Sequence, residues 1–147
     1  SYSDFAIAFS PEAFEGLTAG YAKSNNQVAA TADNDKSTYY VKYAVGGFTL
    51  GYQVSEADHD TKSSSQDSMA YGITYAVNDD LSIGYSYHEV EYDAAATTLT
   101  DQESVGISAS YTMGGMTIAA VFNSTDTVAG VAGTDKEFKE VSVAFAF

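Results

Sequence analysis

The 147 residues include no cysteine, no tryptophan, no arginine and a single proline, Pro11. Without cysteine, neither a disulfide framework nor a zinc–thiolate site can form. Six lysines against 20 acids leave a net charge of −14, which excludes the basic footprint of a nucleic-acid-binding chain. No run reaches the ~18 consecutive apolar residues that would signal a transmembrane helix. The start, Ser1-Tyr2-Ser3-Asp4, has neither the basic nor the apolar region of a signal peptide, so a mature, processed or partial chain is expected.

What the chain does contain is twelve tyrosines, eight phenylalanines and twelve glycines, a composition suited to strands joined by tight turns. The last seven residues are the most telling. Val141, Val143, Phe145 and Phe147 share one face of a strand, whereas Ser142, Ala144 and Ala146 share the other. An oily face on a terminal strand that ends in an aromatic is what closes a bacterial outer-membrane barrel.

The same two-faced pattern recurs along the sequence. It predicts strands near residues 2–9, 17–24, 37–45, 48–57, 67–77, 81–92, 102–113, 116–124 and 137–147. Met69, Tyr71, Ile73, Tyr75 and Val77 alternate with Ser68, Ala70, Gly72, Thr74 and Ala76; Val105, Ile107, Ala109 and Tyr111 alternate with Ser104, Gly106, Ser108 and Ser110. A soluble sandwich would alternate too. Two features favour a membrane barrel instead. Several segments have the roughly nine to eleven residues of a tilted bilayer-spanning strand, longer than the five or six typical of soluble sheets. The middle of the apolar face also carries no charge, which at the bilayer midplane would cost about 2–4 kcal/mol for a cation.

Connections alternate in length. Gly46-Gly47, Asn78-Asp79-Asp80 and Gly114-Gly115 read as tight hairpin turns, and residues 10–16 as one helical turn with Ser10 as N-cap, Pro11 at the first position and Gly16 as terminator. The connections near 25–36, 58–66, 93–101 and 125–136 read as longer polar loops on the opposite rim. Short turns on one rim and long loops on the other are an outer-membrane pattern.

With these features the chain resembles the general diffusion porins of Gram-negative bacteria, specifically the carboxy-terminal part of one. The resemblance rests on the terminal Ala144-Phe145-Ala146-Phe147, the strand-turn-strand from Phe9 to Leu17 and the Gly-Tyr-rich strands between. It implies a water-filled channel for small hydrophilic solutes and ions in the bacterial outer membrane, a trimer of sixteen-stranded barrels, and no cofactor. The fold expected is an all-β, antiparallel transmembrane barrel of which residues 1–147 supply about nine strands. Nine strands ending at the periplasm begin outside, so amino-terminal strands are expected to be missing. The alternative is a self-contained eight-stranded barrel with a structural, adhesive or enzymatic role, residues 1–16 being a periplasmic tail.

Alternation assigns Leu50, Tyr52, Val54, Ile83, Tyr85, Ile118, Phe122, Phe145 and Phe147 to lipid. The other face is mostly Ala, Gly, Ser and Thr, which leaves room for water in a wide barrel. Its exceptions, Asp4, Tyr40, Lys42, Gln53, His88, Asn123 and Glu140, are read as pore-lining. Acids concentrate near the longer-loop rim, so a cation preference and bridging to lipopolysaccharide by divalent ions are expected. An enzyme would need a nucleophile, a base and an orienting group. Only His59 and His88 are available as histidine bases, and neither has such partners in the pattern, so no catalytic or metal-ligating residues are assigned.

Overall fold

The computed structural model describes residues 2–29, 32–59, 65–93 and 99–146. They form one nine-stranded sheet in sequence order, every neighbouring pair antiparallel. The strands are β1 (Tyr2–Phe9), β2 (Leu17–Ala29), β3 (Ala32–Val45), β4 (Phe48–His59), β5 (Gln66–Ala76), β6 (Leu81–Tyr92), β7 (Gln102–Met113), β8 (Met116–Asp126) and β9 (Lys136–Phe145). No helix of the described residues is long and apolar enough to cross a membrane, which says nothing against crossing by strands.

Tight turns set the register. Gly46 (φ 56°) and Gly114 (φ 59°) adopt left-handed backbone in two-residue connections, pairing Val45 with Phe48 and Met113 with Met116. The Asn78 side chain accepts hydrogen bonds from the backbone N–H groups of Asp80 and Leu81, at 2.9 and 2.8 Å, closing the β5–β6 turn.

Residues 10–16 differ from expectation. Phe14 N–H bonds to the Pro11 carbonyl and Leu17 N–H to the Phe14 carbonyl, which makes two successive turns rather than a helical one. Ser10 does not cap it. Its hydroxyl bonds across to Thr18 at 3.1 Å. Gly16 keeps its role as terminator, with φ 85° and its carbonyl accepting from Ala44 N–H.

The stretch near 25–36, expected as a loop, is strand on both sides of residues 30–31. Polar composition suggested a loop, but ladder hydrogen bonds are made by backbone. Asn25 pairs with Asp35 both in register and through its side-chain amide, and Lys23 lies 3.6 Å from Asp35. Residues 2–9 also pair with β2 from Tyr2↔Asn26 to Phe9↔Ala19, which overturns the tail alternative.

The sheet has no core of its own. Val90, at 8% exposure, is the sole buried apolar side chain among the described residues, whereas Val141 is 74% and Ile7 65% exposed. A soluble sandwich would cover such residues with a second sheet. Here the apolar face has no protein cover among the described residues, and β1 and β9, the two edges, run in the same direction.

Candidate functional site: the two faces of the sheet

Residues directly opposed across an antiparallel pair share a face. The register therefore joins the short alternations of single strands into two sheet-wide surfaces. One row on the small-residue face runs Thr18, Lys42, Gly51, Gly72, Ser86, Gly106, Asn123, Phe138. The adjacent row runs Gly20, Tyr40, Gln53, Ala70, His88, Ser104, Thr125.

These rows line a concavity of about 640 Å³ whose wall includes Tyr40, Lys42, Gln53, Gly72, His88 and Asn123. Its glycines hold space. A β-carbon on Gly106 would lie 2.5 Å from Ser86 Oγ and 2.7 Å from Asn123 Oδ1, so the bare backbone leaves both polar groups facing the trough. Lys42 makes no ion pair among the described residues.

Of the seven residues expected to line a pore, Tyr40, Lys42, Gln53, His88 and Asn123 come together in this concavity. Asp4 is on the same face at the β1 edge, in a recess with Ala22 and Lys36. Glu140 is on that face too, opposite Val121 on β8, outside the concavity.

The opposite face carries the expected apolar set. One row is Tyr43, Leu50, Ile73, Tyr85, Ile107, Phe122; the next is Val41, Tyr52, Tyr71, Tyr87, Val105. Val54, Ile83, Ile118 and Phe145 share this face, whereas Phe147 lies outside the described residues. Aromatic pairs tie neighbouring strands: Phe48 stacks on Tyr75 at 4.3 Å and Tyr71 on Tyr87 at 5.1 Å. Lys139 sets its Nζ 5.0 Å above the Phe122 ring and 3.1 Å from Glu137.

The register also shows where the acids point, which composition could not. Asp35 opposes Asp58; Glu56, Asp67 and Glu91 form one row, and Glu89, Glu103 and Asp126 another. All share the apolar face, beyond its tyrosines. They do not line the concavity. Tyr87 donates its hydroxyl hydrogen to Glu89 at 3.2 Å. Glu89, Glu91 and Asp101 bring carboxylate oxygens within 4.8 Å of one another, a spacing that attracts counter-ions without defining a site.

Moving from β3 toward β9, this charged boundary steps down the strands, from Asp35 and Asp58 through Glu103 to Glu137 and Lys139. A level boundary crosses tilted strands in this way. An average step of roughly one to one and a third residues per strand, at ~3.4 Å along for each ~4.8 Å across, corresponds to a tilt of about 35–45°, the range of membrane barrels.

Among the described residues, neither histidine is joined to a nucleophile and an orienting group. His59 Nδ1 bonds to Asn34 Oδ1, and its backbone N–H to Ser65 Oγ at 3.0 Å. His88 and Glu89 project from opposite faces.

The sequence pattern of the Gram-negative porins matches residues 1–147. The chain belongs to this family. The family is non-enzymatic and resides in the outer membrane. Among solved structures, a mutant of the Rh. blastica porin superposes with a TM-score of 0.71 at 15% identity, covering 99% of this chain and 46% of that one. A porin refined at 1.8 Å gives 0.73 at 14% identity, over 95% and 50%. OmpT of Vibrio cholerae gives 0.66 at 16% identity, over 98% and 55%. This porin chain thus spans about half the length of the solved porins it matches, and its nine strands correspond to roughly half of a sixteen-stranded barrel. No curated protein matches the sequence.

Proposed function

We propose that this chain is the carboxy-terminal part of an outer-membrane diffusion channel, its small-residue face lining a water-filled pore for small hydrophilic solutes and ions. One observation carries the reading. A continuous concave face of small and polar residues backs onto a continuous apolar face with no protein core between. Water on one side and lipid on the other satisfy both. Conductance of the complete porin in a planar bilayer tests it: stepwise ohmic openings are expected, and an assembled barrel that passes no ions would contradict it.

Residues 1–147 form part of a single barrel domain. Both edges run in the same direction, so antiparallel closure requires an odd number of further strands, and seven would give sixteen. Open edges in hydrocarbon would leave backbone groups unpaired at several kcal/mol each. The native polypeptide should therefore have an intact mass well above the 15.5 kDa of this chain. The assembled protein is a homotrimer, as the family resemblance implies.

Cation preference arises from the rim as a whole. Within the described small-residue face, the three lysines Lys36, Lys42 and Lys136 outnumber the two acids Asp4 and Glu140, so the wall itself works against the rim. The preference is accordingly modest and weakens as salt screens the rim over ~8 Å at physiological strength. The carboxylates beyond the tyrosine rows face the lipid headgroup level, where divalent ions join them to lipopolysaccharide phosphates.

A further inference from the structure

The loop between β8 and β9, residues 127–135, does not continue along its own strand pair. It leans across β7. Thr127 donates its hydroxyl hydrogen to the Asp101 carbonyl, and Ala129 N–H donates to Gln102 Oε1 at 2.7 Å. The Gly130 carbonyl accepts from Thr100 N–H at 3.0 Å. Gly130 is buried, and a β-carbon there would lie 3.0 Å from both the Tyr92 ring and the Thr100 carbonyl.

These anchors define the loop's side of the sheet. Tyr92 and Gln102 alternate onto the face that carries His88 and Ser104, and Gln102 pairs in register with buried Val90. The loop therefore lies over the small-residue face at the longer-loop rim. It is also internally fastened. Thr127 and Ala129 hold left-handed backbone, at φ 51° and 55°, and the Thr134 hydroxyl bonds to the Val128 and Val131 carbonyls at 3.0 and 2.6 Å. Non-glycine residues keep such conformations only where their surroundings enforce them.

We infer that residues 127–131 form a fixed, uncharged shelf over the outer mouth of the channel, which limits solutes by size rather than by charge. This rests on the channel reading above. Val128, Ala129, Gly130 and Val131 carry no charge, and Val131 is half exposed at the shelf's surface. Gly130 is its positioning residue, since a β-carbon there would press against Tyr92 and Thr100 at 3.0 Å and would have to hold the left-handed φ of 74°.

Residues 1–147 contain no cysteine, so Ala129→Cys, made in the complete porin with any cysteine of the remaining part changed to serine, places a single thiol at an exposed position, with backbone demands equal to those of alanine. Bulky cationic and anionic thiol reagents are applied in turn during planar-bilayer recording, with Ser124→Cys on the apolar face as control. Both reagents are expected to cut the Ala129→Cys current by more than about a third and to leave the control unchanged, because obstruction by bulk is indifferent to sign. Current unaltered by either reagent overturns the shelf while leaving the channel reading intact. A drop with one sign only shows a field effect and overturns size limitation. Absence of current from the unlabelled porin overturns the channel reading itself. Gly130→Val gives a second readout in liposome swelling. Expelling the loop should raise the entry of the largest permeant sugars at least about twofold relative to the smallest, and an unchanged size dependence in the folded variant contradicts the proposal.

Discussion

Gly20 and Tyr40 lie directly opposite each other on β2 and β3, and a β-carbon on Gly20 would overlap the far end of the Tyr40 ring. The aromatic lies over the glycine and covers its backbone. Because the overlapped atoms are the tip of a side chain, Gly20→Ala should be absorbed by rotation of Tyr40 rather than by unfolding. The displaced ring would project further into the concavity it already lines. The expected result is normal heat-modifiable barrel with reduced single-channel conductance, and normal conductance would place Tyr40 away from the permeation path.

Lys42 stands between the small residues Thr18 and Gly51 on the neighbouring strands. Its ammonium should face pore water and oppose cations. Lys42→Glu is expected to raise cation selectivity with folding unchanged, as read from reversal potentials under a salt gradient. An unaltered potential at normal conductance would remove Lys42 from the pore wall.

Ile107 and Ser110 are close on β7 but on opposite faces. Arginine at Ile107 would enter the lipid midzone at a cost of about 2–4 kcal/mol, whereas arginine at Ser110 would project into water. Refolding into bilayers in urea separates them. Ile107→Arg should lower the unfolding midpoint strongly and Ser110→Arg only slightly; equal losses would contradict the assignment of faces.

Glu103 sits between Glu89 and Asp126, directly across from both on the same face. Like charges so opposed destabilise a sheet, whereas a favourable cross-strand pair contributes roughly 0.2–1 kcal/mol. Glu103→Gln should therefore stabilise the barrel at low salt, and the gain should shrink as screening rises. Destabilisation of the same size at low and high salt would show that Glu103 makes a favourable contact instead.

Much of this arrangement is legible in the sequence because a period of two is a local property. Val105 and Ile107 announce their face without knowledge of their neighbours, and Gly46-Gly47 and Gly114-Gly115 announce their turns. What depends on register is not legible. The pairing of Asn25 with Asp35 extends β2 and β3 through polar residues that composition assigns to a loop. The direction of Glu89 and Glu103 toward the apolar side follows from alternation, but their opposition across β6 and β7 follows only from pairing. Ser10 carries the signature of a helix cap, yet Thr18 across the turn takes its hydroxyl. The inward lean of residues 127–131 rests on contacts with Tyr92 and Gln102, far apart in sequence, and no motif signals it.

In the proposed channel one face of this sheet meets water and the other meets lipid. Spin labels placed singly from Ser104 to Tyr111 along β7, in the complete porin reconstituted into bilayers, test it most directly. Accessibility to a water-soluble nickel complex should peak at Ser104, Gly106, Ser108 and Ser110, and accessibility to oxygen at Val105, Ile107, Ala109 and Tyr111, the two curves out of phase with a period of two. An apolar face accessible to neither reagent would mean that it is buried in protein, and would contradict the account.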